Sequence, residues 1–378
     1  MIIMKTEKNE LIKKSRRIVI KIGTSILTDI VGGKPEITTK NIEPIIDSLI
    51  PLMKNKTFSL VSSGAIGFGM SVLGLNTKPK ELSMKQAAAA IGQNKLMQMY
   101  DRLFEKHAKT VAQILLTQTG IMQRARYLNA INTMNSLFKL NVVPVINEND
   151  TVAVEEIKFG DNDKLAAMVA SMIEADLLIL LTNIDGLLED VTRPETLITD
   201  IKSITPEILK MCGAAGKSTT TGGMKAKLAA ADICMSSGIP MIICNTNTDI
   251  ITRIFDGSFK GTFFYPKKNI IPSRKRWIKF NLKPRGKIIV DAGAEKAVLN
   301  NKSLLPSGIV SFEGRFEAND CIAIFNDSGE KIAVGLINCD DNYLKKIIGL
   351  KMQEIKVKFG SAAMREVIHI DNMAVVEE

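Results

Sequence analysis

Three parts of this sequence carry side chains suited to chemistry on phosphate. The first is Lys21, which sits inside the apolar run Ile18-Val19-Ile20-Lys21-Ile22 and is followed by Gly23-Thr24-Ser25. A lysine there needs either a route to water at a strand edge or an anionic partner. The second is Thr219-Thr220-Thr221-Gly222-Gly223-Met224-Lys225-Ala226-Lys227, small and polar, running into an Ala-rich helical stretch. Free backbone N–H groups at a helix start bind phosphate, and Lys225 and Lys227 add positive charge. The third is a pair of acidic and amide stretches, Asn147-Glu148-Asn149-Asp150 and Gly160-Asp161-Asn162-Asp163-Lys164. A helix cap accounts for one aspartate. The remaining groups could hold a substrate ammonium, a magnesium ion or a pair of lysines. Gly216-Lys217-Ser218 looks like the end of a P-loop. That motif needs a glycine five positions earlier, where Met211 stands, and a preceding strand, so a Walker reading is rejected.

The elements that must position these groups follow from the hydrophobic pattern. Strand-length apolar runs occur at 17–22, 57–61, 110–116, 141–146, 177–181, 240–243 and 261–266. Helical patterns lie between them at 83–104, 126–138, 164–173 and 224–235. This alternation predicts crossover units, and hence an α/β fold with an open, mainly parallel sheet and helices on both faces. Ligands of such sheets bind beyond the carboxyl ends of the strands. Gly23-Thr24-Ser25, Ser62-Ser63-Gly64 and Asn147-Glu148-Asn149-Asp150 all fall at such ends.

The pattern changes near the C-terminus. Residues 267–275 hold a proline, directly after Pro266, and four basic residues, and short strands separated by turns follow at 287–290, 308–312, 321–325 and 331–337. The expected organisation is a larger domain over 1–272, a linker over 273–284 and a small mixed-β barrel over 285–378. About fifteen N-terminal residues read as a solvated extension.

Composition bounds the function. The net charge of +10 would suit nucleic acid or an anionic substrate. From Lys283 onward, however, 13 basic residues face 14 acidic ones, so the excess lies in the larger domain. The five cysteines, Cys212, Cys234, Cys244, Cys321 and Cys339, form no CxxC pair and read as reduced thiols. No apolar run approaches the ~18 residues of a membrane helix, and the opening Met1-Ile2-Ile3-Met4 is too short for a signal peptide. A cytoplasmic, membrane-free protein is expected.

The motifs together resemble those of the glutamate 5-kinases, a branch of the amino acid kinase family, along nearly the whole chain. They are Ile20-Lys21-Ile22-Gly23-Thr24-Ser25, Val61-Ser62-Ser63-Gly64-Ala65-Ile66, Pro144-Val145-Ile146-Asn147-Glu148-Asn149-Asp150, Gly160-Asp161-Asn162-Asp163, Leu180-Leu181-Thr182-Asn183, Thr221-Gly222-Gly223-Met224 and Arg274-Lys275-Arg276-Trp277. The resemblance implies that Lys21 and Lys227 neutralise a transferring phosphoryl group and that Asp163 positions both. It places glutamate on Ser63, Asp150 and Asn162, with Asn147 and Asp161 nearby. It places ATP on Lys21, Gly23, Thr182, Asn183 and Thr221 through Lys227, that is Thr221, Gly222, Gly223, Met224, Lys225, Ala226 and Lys227. Magnesium would arrive with ATP, with no separate protein metal site. The product would be glutamyl 5-phosphate for proline synthesis, with proline as feedback inhibitor and a dimer or tetramer as the assembly. The C-terminal domain is similar to a PUA module, an RNA-binding fold. Asn183 stands where an aspartate is more usual, and Ile184-Asp185-Gly186-Leu187-Leu188 replaces a typical Gly-Leu-Tyr run.

The expected chemistry is physically coherent. A carboxylate is ionised at neutral pH and needs no general base to attack phosphorus. Catalysis then reduces to alignment and charge neutralisation. The rival expectations are another amino acid kinase, acting on N-acetylglutamate or aspartate, and an RNA-binding protein. The acidic balance of the last domain argues against tight RNA binding.

Overall fold

The computed structural model describes residues 2–31, 34–152, 162–190, 192–214, 221–268, 270–360 and 365–376. Two units result, Met1–Ile270 and Ile271–Glu378. The principal elements of the first, in chain order, are α1 (Ile2–Lys14), β1 (Arg17–Ile22), β2 (Thr57–Ser62), α2 (Ala65–Val72), α3 (Leu82–Glu105), β3 (Val111–Leu116), α4 (Arg124–Lys139), β4 (Val143–Glu148) and α5 (Asn162–Met172). They continue with β5 (Leu177–Thr182), β6 (Asp200–Ile201), α6 (Thr221–Ser236), β7 (Met241–Asn245), α7 (Ile250–Asp256) and β8 (Gly261–Phe264).

The eight strands form one sheet in the order β6-β8-β7-β5-β1-β2-β4-β3. Neighbours from β7 to β3 are parallel, β8 runs antiparallel to β7, and β6 runs with β8. Burial on both faces explains the continuous apolar strands. All six residues of β5 are buried, and each such leucine contributes roughly 1.5–3 kcal/mol relative to an exposed one. Along β1, Ile18, Ile20 and Ile22 join a core that includes Leu96 and Tyr100 of α3. Strand alternation sends Val19 and Lys21 to the opposite face.

The crossing of α2 and α3 is exceptionally close. A Cβ built on Gly92 would lie 1.7 Å from the Ala65 carbonyl oxygen, and one on Gly69 would lie 1.8 Å from that of Ala88. The two helix backbones therefore touch, which only glycine permits.

The N-terminal stretch departs from expectation. Instead of a solvated extension it forms α1, with Ile12 buried in the core. Lys8 lies 4.6 Å from the centre of the Phe259 ring and 3.7 Å from Asp200. The charges misled because a lysine can lay its methylene stem on an apolar surface.

The second unit opens with a helix over Ser273–Asn281, α8, whose Trp277 and Ile278 are buried. The stretch expected as a linker is thus mostly a structured part of this unit. Its run of basic residues hid an amphipathic turn pattern. Strands β9 (Gly286–Val290), β10 (Ile309–Gly314), β11 (Cys321–Phe325), β12 (Lys331–Leu336) and β13 (Met373–Val375) make a mixed sheet in the order β10-β9-β11-β12-β13. They enclose a separate core around Ile288, Ile322, Ile324 and Ile368. Cys234, Cys244 and Cys321 are buried free thiols. No helix among the described residues is long and apolar enough to cross a membrane.

Candidate active site

Lys21 has an anionic partner. Its Nζ lies 2.7 Å from Oδ1 of Asp163, in the first turn of α5, and Nζ of Lys227 lies 2.8 Å from Oδ2 of the same carboxylate. Asp163 is fully buried, and the two lysines are 8% and 9% exposed. Three elements deliver the cluster: β1 from the sheet, and α5 and α6 from the face to which Lys21 alternates. One carboxylate between two ammonium groups leaves a net positive site at the carboxyl ends of the strands. Burial pushes the Asp163 carboxyl up, but the charges and hydrogen bonds of Lys21 and Lys227 together outweigh it. The group is held below the usual carboxylate range.

A pH dependence follows. A carboxyl whose folded pKa is depressed stabilises the fold above its unfolded value, about 3.9, and that contribution is lost as pH falls through the folded value. Thermal melting of wild type and Asp163→Asn should therefore differ most above pH about 4 and converge below it. A difference that grows on acidification would contradict the assignment.

Beside this cluster lies a cavity of about 410 Å³ lined by Ser63, Asn147, Glu148, Asp150 and Asn162, together with Thr24 and Lys78. Asn162 and Asp163 are consecutive at the start of α5, so one helix turn serves both the cavity and the lysines. Asn162 Nδ2 donates to Ser62 O at 3.0 Å, Ser63 Oγ at 2.9 Å and Asn147 Oδ1 at 3.0 Å. Asn147 Oδ1 also accepts from the backbone N–H of Glu148 at 2.9 Å, and its Nδ2 donates to Gln93 Oε1 at 2.9 Å. Asn147, expected to touch substrate, thus has both ends of its amide engaged by protein. Asp150 lines the cavity, whereas Asp161 lies outside the described residues.

The positions expected for a nucleotide fall around the next strand ends. Thr182 closes β5, one step beyond the Leu181–Ile22 pair of the sheet, and its carbonyl accepts from Thr246 N at 3.0 Å. Asn183 accepts from Thr182 Oγ1 at 3.3 Å. Asp185 accepts from Asn245 Nδ2 at 3.0 Å and pairs with Lys260 at 2.5 Å. The Lys260 hydrogen bond, followed by that of Asn245, holds its carboxyl below the usual range. Gly23 lies beside the cluster: a Cβ there would be 3.7 Å from Lys21 Nζ. Thr221, Gly222 and Gly223 form the first turn of α6, not a loop ahead of it. Met224 and Ala226 are half-buried, Lys227 turns inward and Lys225 is exposed. Residues 217–218, the false P-loop, lie outside the described residues.

Sequence reasoning missed Gln93, Tyr100 and Lys78. Tyr100 and Ser62 share a buried hydrogen bond of 2.8 Å that ties α3 to the end of β2. Lys78 and Thr24 line the cavity from a polar loop and from the turn after β1. Thr24 belongs to the strand-end turn that the sequence marks, whereas nothing in the sequence around Lys78 marks it off from an ordinary surface residue.

Residues 16–245 match the model of the amino acid kinase family, and residues 286–359 match that of the PUA domain. Among similar proteins is a glutamate 5-kinase of Caldanaerobacter subterraneus, 46% identical over 367 residues, covering 96% of this chain and 98% of the relative. Another is the glutamate 5-kinase of Syntrophus aciditrophicus, 42% identical over 379 residues, covering 99% of this chain and 97% of the relative. A third, from Carboxydothermus hydrogenoformans, carries the same name and is 44% identical over 374 residues, covering 97% of this chain and all of the relative.

Proposed function

The chain belongs to the glutamate 5-kinase branch of the amino acid kinase family, and from that premise we propose that it transfers the γ-phosphoryl group of ATP to the side-chain carboxylate of glutamate. The observation that carries this reading is the buried Lys21–Asp163–Lys227 cluster beside a polar cavity. In the reaction a glutamate carboxylate oxygen forms a bond to the γ-phosphorus as the bond to the β,γ-bridging oxygen breaks. The products are an acyl phosphate and ADP. Two anions must approach, and Lys21 and Lys227 offset the charge that concentrates on the phosphoryl oxygens. Asp163 holds the two ammonium groups at a fixed separation and offsets their charge in a buried setting. Both its oxygens face lysines, so it is not a spare ligand for a metal. Magnesium, carried by the nucleotide phosphates, adds further charge neutralisation there.

The hydrogen bonds also assign directions within the cavity. Ser63 Oγ accepts from Asn162, which leaves its O–H to donate to a substrate carboxylate. Asn162 spends its N–H donors on protein, which leaves Oδ1 to accept from the substrate ammonium. Asp150 adds the negative charge that a buried ammonium requires. Asp150→Ala should therefore raise the KM for glutamate by about tenfold or more and leave that for ATP within about twofold. Equal rises in both constants would move Asp150 to another role.

Hydroxamate formation from glutamate, ATP, magnesium and hydroxylamine tests the whole reading, because hydroxylamine traps an acyl phosphate. Signal with N-acetylglutamate or aspartate but not with glutamate would overturn it. Feedback inhibition by proline, assembly as a dimer or tetramer and a cytoplasmic location belong to the same reading. For the PUA domain we favour a role in tuning the kinase over tight RNA binding. Its charge is slightly acidic, Phe316 is buried, and Phe312 packs edge-on against Phe316 at 5.7 Å, so these rings are not free stacking platforms.

A further inference from the structure

Gln93 is an amide on α3 with only 8% of its surface exposed. Its Oε1 accepts from Asn147 Nδ2 at 2.9 Å, while its Nε2 is buried without a hydrogen-bond acceptor among the described residues. The polarity of this contact is forced. The backbone N–H of Glu148 can only donate, and it donates to Asn147 Oδ1. That fixes which end of Asn147 is the acceptor, so Asn147 must present Nδ2 to Gln93. Gln93 must then answer with Oε1 and leave Nε2 pointing away. On the other side, Asn147 Oδ1 requires Asn162 to present Nδ2, which fixes Asn162 Oδ1 as the group left for a ligand.

A buried donor without an acceptor carries a free-energy cost, and an apolar side chain at position 93 would only move that cost onto Asn147 Nδ2, which now donates to Gln93. We propose that Gln93 is a positioning residue for the amino acid substrate: it locks Asn147, and through Asn147 the orientation of Asn162 and Ser63, without touching the substrate itself. The proposal rests on the reading of this cavity as the glutamate site. The tight passage of α3 over α2 at Gly92, the preceding residue, is what brings Gln93 within reach of β4.

The test compares Gln93→Met and Gln93→Glu in the full-length enzyme. Methionine keeps the length but removes the acceptor. It exchanges one unpartnered buried donor, Gln93 Nε2, for another, Asn147 Nδ2, so thermal stability should change little. Asn147 keeps its Oδ1 anchor on the Glu148 N–H but loses its second anchor at Nδ2. Its amide and that of Asn162 can then swing about the remaining bond, and the KM for glutamate should rise about tenfold while that for ATP stays within about twofold. Glutamate at position 93 keeps a carbonyl acceptor whether or not it is protonated, and Gln93→Glu should restore the wild-type KM for glutamate to within about threefold. A KM for glutamate that is unchanged in a stable Gln93→Met enzyme would overturn the proposal, as would a parallel rise in both constants. Should Gln93→Met fail to fold, a tenfold rise in a stable Gln93→Glu enzyme overturns it equally. Wild-type activity on glutamate, measured alongside, separates failure of this inference from failure of the substrate assignment.

Discussion

Lys227→Ala should lower kcat by about 10²–10³-fold while the KM for glutamate stays within about threefold. The ammonium of Lys227 is buried, 2.8 Å from Asp163, and lies across that carboxylate from Lys21. It does not line the cavity beside Ser63 and Asn162. Its charge matters most as negative charge gathers on the transferring phosphoryl group, so its loss falls on the transition state more than on substrate binding. Removing it also leaves Asp163 with one counter-ion, which should destabilise the folded enzyme modestly. Steady-state kinetics on a variant with a wild-type circular dichroism spectrum would check this. Turnover within about threefold of wild type would remove Lys227 from the machinery. Lys21→Ala should behave alike, because Asp163 treats the two lysines symmetrically.

Gly92→Ala should be among the most damaging single-methyl additions in the first unit. The new Cβ would lie 1.7 Å from Ala65 O and 2.4 Å from Gly69 N, both backbone atoms that no side-chain rotation can move. Either α2 and α3 separate or one of them shifts along its axis. Overpacking commonly costs 1–3 kcal/mol, and a clash with backbone on this scale should cost about 3 kcal/mol or more. That corresponds to a fall in Tm of roughly 6–12 °C for a unit of this size. Because α2 begins two residues after Ser63 and α3 carries Gln93 and Tyr100, glutamate binding should weaken as well. Gly67→Ala, in α2 on the other side of the crossing, is the control. Its Cβ would make only an ordinary 3.7 Å contact with Thr24, so its Tm should stay within about 2 °C of wild type. Similar melting of the Gly92→Ala and Gly67→Ala enzymes would mean that the two helices are not locked by this crossing.

Much of the site was legible before any coordinates. A lysine within Ile-Val-Ile-Lys-Ile needs a route to water or an anionic partner, and the family resemblance implied Asp163 as that partner. The alternation of apolar runs with helical patterns was sufficient for a mainly parallel sheet, because strands buried on both faces must be apolar throughout. The carboxyl ends of those strands could then be read off as the place where Gly23, Ser63 and Asn147 gather. Local period and local composition carry the sheet and the strand ends at Gly23, Ser63 and Asn147, and both are properties of adjacent residues; Thr182 and the pairing of Asp163 with the lysines came from the family resemblance.

What the sequence could not determine depends on groups brought together from far along the chain. By residue type alone Lys225 and Lys227 are equal candidates; the resemblance favoured Lys227, and the packing of α6 against α5 is what turns Lys227 inward and leaves Lys225 exposed. Asn147 reads as a substrate contact until Glu148 N and Gln93 are seen to consume its amide. Gln93 itself sits in an Ala-rich helix with no local sign of burial. Its role comes from the helix crossing at Gly92 and Gly69, and a glycine in a sequence does not say which backbone it lets approach. The charged N-terminal stretch and the basic segment before Trp277 failed as sequence readings for a related reason. A long cationic side chain has an apolar stem, and whether that stem is buried is decided by the surface it meets. Sequence periodicity determined which residues face inward within each element; the tertiary structure alone decided which inward-facing residues meet, because hydrogen bonds and ion pairs of this site join residues up to 142 positions apart.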